Sequence, residues 1–321
     1  IGSVLVSLNV ALASGTAFAQ KYPEKPVKII VPFAPGGGAD MLARTLTAGL
    51  TETWGQPVVV ENRAGASGNI GAEAVARSEP DGYTLLLTSS AFVISPSMSS
   101  NLSFNVEKDF APITLAAELP NVLVVHPSVK ANTVKELEAL IRANATKISY
   151  ASPGNGTGGH LAAELFKQSA GVEITHVPYK GGAPAVQDLM GGQVDIFMTP
   201  YGKGQVQLVA DGKLKATAVL SAERQDLFKQ VPALNESAAL KGFVFETWAG
   251  FFVHKDTPEP VVQALHKALS EVANDVTVRN ALEAQAMNVP RPQPLAALGK
   301  LYADNTAKYQ TIARSMRLQP Q

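Results

Sequence analysis

The 321-residue chain contains no cysteine. Disulfide staples, thiolate nucleophiles and cysteine metal sites are therefore excluded, and a packed core must supply the stability, which a chain of this length can do unaided. Charge is scarce as well. Acidic and basic residues make up 17% of the chain, balance at 27 of each, and form no block of one sign. That excludes the electrostatic footprint expected for a nucleic-acid or anionic-membrane partner. No apolar run reaches the roughly eighteen residues that mark a membrane-spanning helix. Catalytic signatures are missing too: there is no G-x-S-x-G and no H-E-x-x-H. The 5 histidines (His126, His160, His176, His254 and His266) lack metal-ligand spacing. These absences point away from an enzyme, and no cofactor or metal is expected.

What is present begins with Val4 to Ala13, which is largely apolar, followed by small residues and Ala17-Phe18-Ala19 before Gln20. This pattern predicts a signal-peptide remnant over residues 1–19, cleaved between Ala19 and Gln20, and hence an exported protein. With 46% hydrophobic residues, the remainder predicts a compact globular body of about two domains.

Along that body, strand-like and helix-like segments alternate. Lys28 to Val31, Val58 to Val60 and Tyr83 to Thr88 read as strands, with helices over Asp40 to Trp54 and Gly71 to Arg77 between them. The order recurs later. Val122 to Val125, Lys147 to Ala151, Ile174 to Val177, Val194 to Met198 and Leu214 to Leu220 read as strands. Helices follow Thr133 and cover Leu161 to Ala170 and Ala185 to Met190. A last strand, Ala249 to Val253, precedes C-terminal helices over Val261 to Val272 and Leu298 to Ala313. Continuous apolar strands alternating with helices predict an α/β fold with parallel sheets covered on both faces.

One phrase occurs twice: Val31-Pro32-Phe33-Ala34-Pro35-Gly36-Gly37-Gly38-Ala39 and Val177-Pro178-Tyr179-Lys180-Gly181-Gly182-Ala183. Each sits between a strand and a helix. A Gly-rich turn there presents amide N–H groups at the positive end of a helix dipole, which suits an anion. Phe33 and Tyr179 occupy matching places, where they serve either as core or as cleft walls.

A third glycine-rich turn, Ser152 to His160, formally matches G-x-G-x-x-G through Gly154, Gly156 and Gly159. A dinucleotide site further requires an acidic residue ending the next strand, whereas Glu173 begins that strand and Pro178 ends it. An anion nest assisted by Thr157 fits better, with a purely structural turn as the alternative. Asp40 either complements the dipole of its helix or meets the ligand. Lys180 either supplies a counter-charge or is solvated. Thr88-Ser89-Ser90 offers hydroxyls at another strand end, Arg44 or Arg63 would supply a clamp if folded inward, and His160 is the histidine placed nearest a ligand. The sequon Asn144-Ala145-Thr146 has no assigned role.

Several of these segments together resemble one family. Tyr22-Pro23 through Pro32-Phe33, with Gly37-Gly38, Asp40 and Ala43-Arg44, is similar to the opening of the Bug-type extracytoplasmic solute receptors of tripartite tricarboxylate transporters. So are Val60 to Gly71, Asp81 to Leu85, Gly156 to Glu164, Pro178 to Gly182 and Gly191 to Asp195. Gly158-Gly159 departs from the bulkier residues that members often place before this histidine.

The resemblance implies a two-lobed, type II-like periplasmic binding protein with two parallel-rich mixed sheets flanked by helices and a central ligand cleft. Lobe 1 would comprise residues 20–120 and 249–321, and lobe 2 residues 121–248. A small carboxylate would be captured by hinge closure and delivered to membrane transporter subunits by a monomer that binds no nucleic acid. Carried onto this chain, the implied ligand-binding residues are Phe33, Gly37, Gly38 and Asp40; Thr88 and Ser89; Ser152, Gly156, Thr157, Gly158 and His160; Pro178, Tyr179, Lys180 and Gly181; and Asp195. The rivals are a ligand-dependent sensor docking on a membrane receptor, and an exported hydrolase built on Ser152 or Thr157 with His160.

Overall fold

Short β-branched runs followed by glycine turns build two similar halves. The computed structural model describes residues 22–98, 101–144 and 147–315, so the expected signal peptide, the residues past 315 and part of the sequon lie outside the described residues. The first half runs β1 (Val27–Val31), α1 (Gly38–Trp54), β2 (Val58–Asn62), α2 (Asn69–Ala76), β3 (Thr84–Ser89), α3 (Ala91–Met98) and β4 (Phe110–Leu119). The second runs β5 (Asn121–Val125), α4 (Val134–Ala143), β6 (Ser149–Ser152), α5 (Gly158–Ala170), β7 (Thr175–Pro178), α6 (Gly182–Met190), β8 (Ile196–Pro200), α7 (Lys203–Ala210) and β9 (Lys215–Val219). The chain then returns through β10 (Thr247–His254), α8 (Glu259–Asn274), α9 (Val276–Glu283) and α10 (Leu295–Ser315).

The two sheets have matching topologies, β2-β1-β3-β10-β4 and β7-β6-β8-β5-β9. In each, the first three strands are parallel and the fourth runs antiparallel to both its neighbours, so both sheets are mixed. Strands β1 and β5 are buried on both faces, as expected for sheets sandwiched between helices. One apolar cluster packs α1 and α8 on the first sheet through Leu42, Leu46, Leu265 and Leu269. A larger one passes from Phe92, Phe252 and Tyr302 in the first lobe to Tyr150 and Phe166 in the second, joining the lobes at their back.

The lobes exchange chain twice, between β4 and β5 and just before β10. Thr247 and Trp248 pair with Leu119 and Glu118 in the first sheet. They therefore belong to lobe 1, not to the lobe 2 span that sequence reading assigns them. The crossings are tied together by Asn121, whose buried side-chain amide donates to the Leu119 carbonyl (3.0 Å) and Thr247 Oγ1 (3.1 Å).

Three elements are not apparent from periodicity. β4 carries Pro112 and two register shifts against β10, which blur its alternation. α3 contains Pro96 and two serines, poor helix formers held by burial of Phe92, Val93 and Ile94. α7 buries no residue fully, and Val206, Leu208 and Val209 cover the core only in part, so its apolar stripe is weak.

Candidate ligand cleft

Every strand-to-helix turn of interest lies at the carboxyl end of a parallel strand, where open α/β sheets place ligands. The matched topologies reveal a pairing that the repeated phrase hides. The turn after β1 corresponds to the turn after β6, Ser152 to Thr157, and the turn after β7 corresponds to the turn after β2, Asn62 to Gly68. The two Val-Pro-aromatic phrases thus follow an inner strand in one lobe and an edge strand in the other. They are not equivalent positions, although both face the cleft.

The cleft has two chambers that share Phe33 and Pro153 as a partition. The inner chamber, about 350 Å³, takes Gly36 to Ala39, Ser89-Ser90, Thr157 to Gly159, Gly182-Ala183 and the stretch around α7. The outer chamber, about 400 Å³, takes Ala64 to Asn69, Pro153 to Asn155 and Pro178 to Lys180.

Three helices start at the inner chamber. α1, α5 and α6 have Gly37, Thr157 and Gly181 at their N-caps, and none of these residues caps its helix with a side-chain hydrogen bond. The opening amides of a helix have no partner within it. With no side-chain cap, the first turns of these helices place three positive dipole ends at one cavity, an environment that suits an anion without a formal counter-charge. Among the described residues, no charged side chain lines this chamber.

The turns are held in shape from behind. Asp40 is buried; its carboxylate accepts from the Gly36 amide (2.9 Å), Asn62 Nδ2 (2.9 Å) and Arg44 Nε (3.0 Å). Burial alone would raise its pKa, but the Arg44, Gly36 and Asn62 hydrogen bonds outweigh it and hold the carboxyl below its ordinary value. Asp40 therefore shapes the first turn without lining either chamber. Arg44 and Arg63 do not fold inward; they pair with Asp40 and Glu61.

In the second lobe, His160 Nδ1 accepts from the Gly156 amide (3.1 Å), and the fully buried Ser152 Oγ meets His176 Nε2 at 2.6 Å. The two imidazoles stack at 4.2 Å, with Tyr150 against His176. Burial lowers both to a pKa of about 4, helped at His160 by Lys167 and at His176 by the neighbouring imidazole, so the pair is neutral near pH 7. Ser152, Gly156 and His160 thus buttress the loop and do not face the cavity. Thr157 lines the inner chamber, and its hydroxyl donates to the Gly154 carbonyl (2.7 Å).

Phe33, Gly37, Gly38, Ser89, Thr157 and Gly158 line the inner chamber, as their sequence positions suggest. Phe33, Pro178, Tyr179 and Lys180 line the outer one. Tyr179 turns its hydroxyl away to Asp188 (2.8 Å); burial and that carboxylate push its pKa up to about 12. Gly181 packs across the lobes, with space for a methyl group 3.6 Å from the Ala34 side chain.

Two further expectations need correction, beside those for Asp40, Ser152, Gly156 and His160. Thr88 is buried inside β3 opposite Gly250, so Ser89 and Ser90 carry the hydroxyls that reach the cavity. Asp195 accepts from the Ser149 amide (2.8 Å) and hydroxyl (3.0 Å) where β6 begins, at the end of the sheet away from the cleft. It is a structural ligand of the backbone. Residues not anticipated include Ser67, Asn69 and Asn155 in the outer chamber and Met41, Leu208 and Met287 in the inner one. The Gly65-Ala66-Ser67-Gly68 run was a legible signal for the first group. No comparable signal marks α7.

The lobes already touch around the cleft. A methyl group on Gly202 would lie 2.6 Å from the Gln285 carbonyl oxygen, and one on Gly154 would lie 2.8 Å from Ser67 Oγ. Two α/β lobes, two chain crossings and a cavity walled by both lobes define a two-lobed solute-binding protein. Residues 42–318 match the model of the tripartite tricarboxylate transporter family receptors, and the chain belongs to that family. It is 37% identical over 271 residues to Protein BugT of Bordetella pertussis, covering 83% of this chain and 82% of that one. It superposes on the periplasmic binding protein BugD with a TM-score of 0.88 at 35% identity, over 94% of this chain and 100% of that one. The Rhodopseudomonas palustris protein Rpa4515, solved with adipate, gives a TM-score of 0.89 at 29% identity, with coverage of 94% and 100%. Among the described residues, no helix is long and apolar enough to cross a membrane.

Proposed function

We propose that this chain is a periplasmic receptor that captures a small carboxylate between its lobes and presents it to the membrane subunits of a tripartite transporter. It acts by binding alone, as a monomer. The observation that carries this reading is the convergence of three uncapped helix N-termini, from both lobes, on one cavity without charged side chains. Such a cradle satisfies carboxylate oxygens through amides and bridging water without a formal counter-charge. Because α1 starts in one lobe and α5 and α6 in the other, a bound carboxylate contacts both and favours the closed arrangement by differential binding. The adipate in the neighbouring Rhodopseudomonas structure supports the ligand class.

The test is a thermal-shift series at neutral pH with matched acid and amide pairs, such as adipate and adipamide. An acid should raise the melting temperature and its amide should not. Equal shifts from both members of every pair, or shifts only from sugars or cations, would overturn the proposal.

A further inference from the structure

The inner chamber offers a carboxylate cradle at one side and little else that is polar. Much of its remaining wall is Met41, Leu119, Val186, Leu208 and Met287, with Tyr201 beside them. Most of the polar side chains that reach it are already engaged within the protein. Gln205 Oε1 accepts from the Gly202 amide (3.0 Å), and Gln285 Nε2 donates to the Ala281 carbonyl (3.1 Å). Thr199 donates to the Pro200 carbonyl (3.1 Å), Thr157 to the Gly154 carbonyl, and Thr247 to the Leu119 carbonyl (3.1 Å). Ser89 Oγ accepts from the Ala91 amide. Ser90 is buried, and its hydroxyl makes no hydrogen bond of good geometry but stands beside the Tyr309 oxygen, whose own hydroxyl donates to the Glu246 carbonyl (3.1 Å); the Tyr201 side chain also reaches the chamber.

These groups set what a ligand can be. A second or third carboxylate placed here would lose its water and meet only partial charges, and desolvating an unpaired carboxylate is strongly unfavourable. A ligand hydroxyl would find few side-chain partners beyond Ser90, Tyr201 and the second amide atoms of Gln205 and Gln285. A methylene chain or a ring would gain by leaving water against the methionine, leucine and valine wall. Among the described residues the cation lining the cleft is Lys180, which is exposed and stands in the other chamber, beyond the Phe33–Pro153 partition.

We infer that the cleft is selective for acids with an apolar body, aromatic or aliphatic, bound through a single carboxylate in the inner chamber, and that it discriminates against compact hydroxylated di- and tricarboxylates. This rests on the carboxylate-capture reading and adds the chemistry of the rest of the ligand. Ser90 is assigned as a further donor to the bound carboxylate, and Leu208 as a wall of the apolar side.

Isothermal titration of the purified chain at pH 7.5 with benzoate, hexanoate, malate, citrate and benzamide tests it. Benzoate or hexanoate should bind at least tenfold more tightly than malate and citrate, with no measurable binding of benzamide. Malate or citrate binding as tightly as the apolar acids would overturn the inference while leaving carboxylate capture standing. Benzamide matching benzoate, or no acid binding at all, would overturn both. Leu208 is half-buried on α7 and packs partly on the second-lobe core, so Leu208→Gln should lower the unliganded melting temperature by no more than a few degrees while weakening the preferred apolar acid about fivefold or more. An unchanged affinity in that variant, with its fold confirmed by circular dichroism, would also count against the apolar wall.

Discussion

Gly202 sits where the lobes meet, and a single methyl group there should separate closure from folding. Its backbone is extended (φ −148°, ψ −172°), so alanine is tolerated locally, and it precedes α7 without entering it. The obstacle is in the other lobe: the added carbon would lie 2.6 Å from the Gln285 carbonyl oxygen, against an ordinary contact of at least 3.4 Å, a deficit of 0.8 Å (3.4 − 2.6). That oxygen is backbone, and its residue is anchored by the Gln285 amide donating to the Leu282 carbonyl (2.8 Å), so it cannot rotate away as a side-chain tip would. Overpacking of this kind costs about 1–3 kcal/mol. The cost falls on the closed arrangement alone, so a ligand that needs closure should lose roughly 5- to 150-fold in affinity, at about 1.4 kcal/mol per tenfold. Titration calorimetry of Gly202→Ala with the acid that gives the largest thermal shift measures the loss. Small-angle scattering of the unliganded variant should show an equal or larger radius of gyration, and its melting temperature should stay within a few degrees of the parent. Unchanged affinity would refute the claim that the ligand is held by lobes in this contact.

Replacing Asp40 by alanine strips the Gly36 amide and Asn62 of their shared acceptor, so stability should fall by about 1–3 kcal/mol in chemical denaturation and ligand affinity should fall with it; loss of neither would show that the turn is self-supporting. The buried histidines give an acid limb. Their folded pKa values of about 4 lie below the ordinary value of 6.5, so the unfolded chain binds more protons between those limits, and stability, complete above pH 6.5, should decline as pH falls towards 4. His160→Asn, which can retain an acceptor near the Gly156 amide, should flatten part of that decline in a melting series, and a slope identical to the parent would exclude His160 as its source. Asn121→Ala removes the amide that ties the two crossings through Leu119 and Thr247; hydrogen exchange should quicken at 119–122 and 245–248, while equal rates would remove this tie from the hinge.

The legible parts of the structure were those where local pattern and tertiary burial agree. β1, β3 and β5 are mainly apolar because both faces are covered, and Gly55 and Gly171 end α1 and α5 in the left-handed conformation that favours glycine. The glycine turns revealed where an anion can sit, since their function rests on backbone amides and on dipoles fixed by position in the chain. Less legible was which turn faces which. Val31 to Ala39 and Val177 to Ala183 look like equivalents, yet strand order pairs each with a different turn, because hydrogen bonding between strands is not written in a local phrase. Asp195 and His160 resembled ligand contacts because they accompany the glycine segments. Both instead satisfy backbone amides, a role that only three-dimensional placement separates from binding. The apolar wall draws on Leu119 of β4, Leu208 of α7 and Met287 of the loop after α9, and no spacing joins them.

The central claim, a carboxylate cradled by helix N-termini from both lobes, is tested most directly by the crystal structure of the complex with the best-binding acid. Its carboxylate oxygens should lie within hydrogen-bonding distance, directly or through one water, of opening amides of α1 and of α5 or α6, with Ser90 Oγ nearby. A carboxylate held by Lys180 alone in the outer chamber, or one contacting a single lobe, would contradict the account.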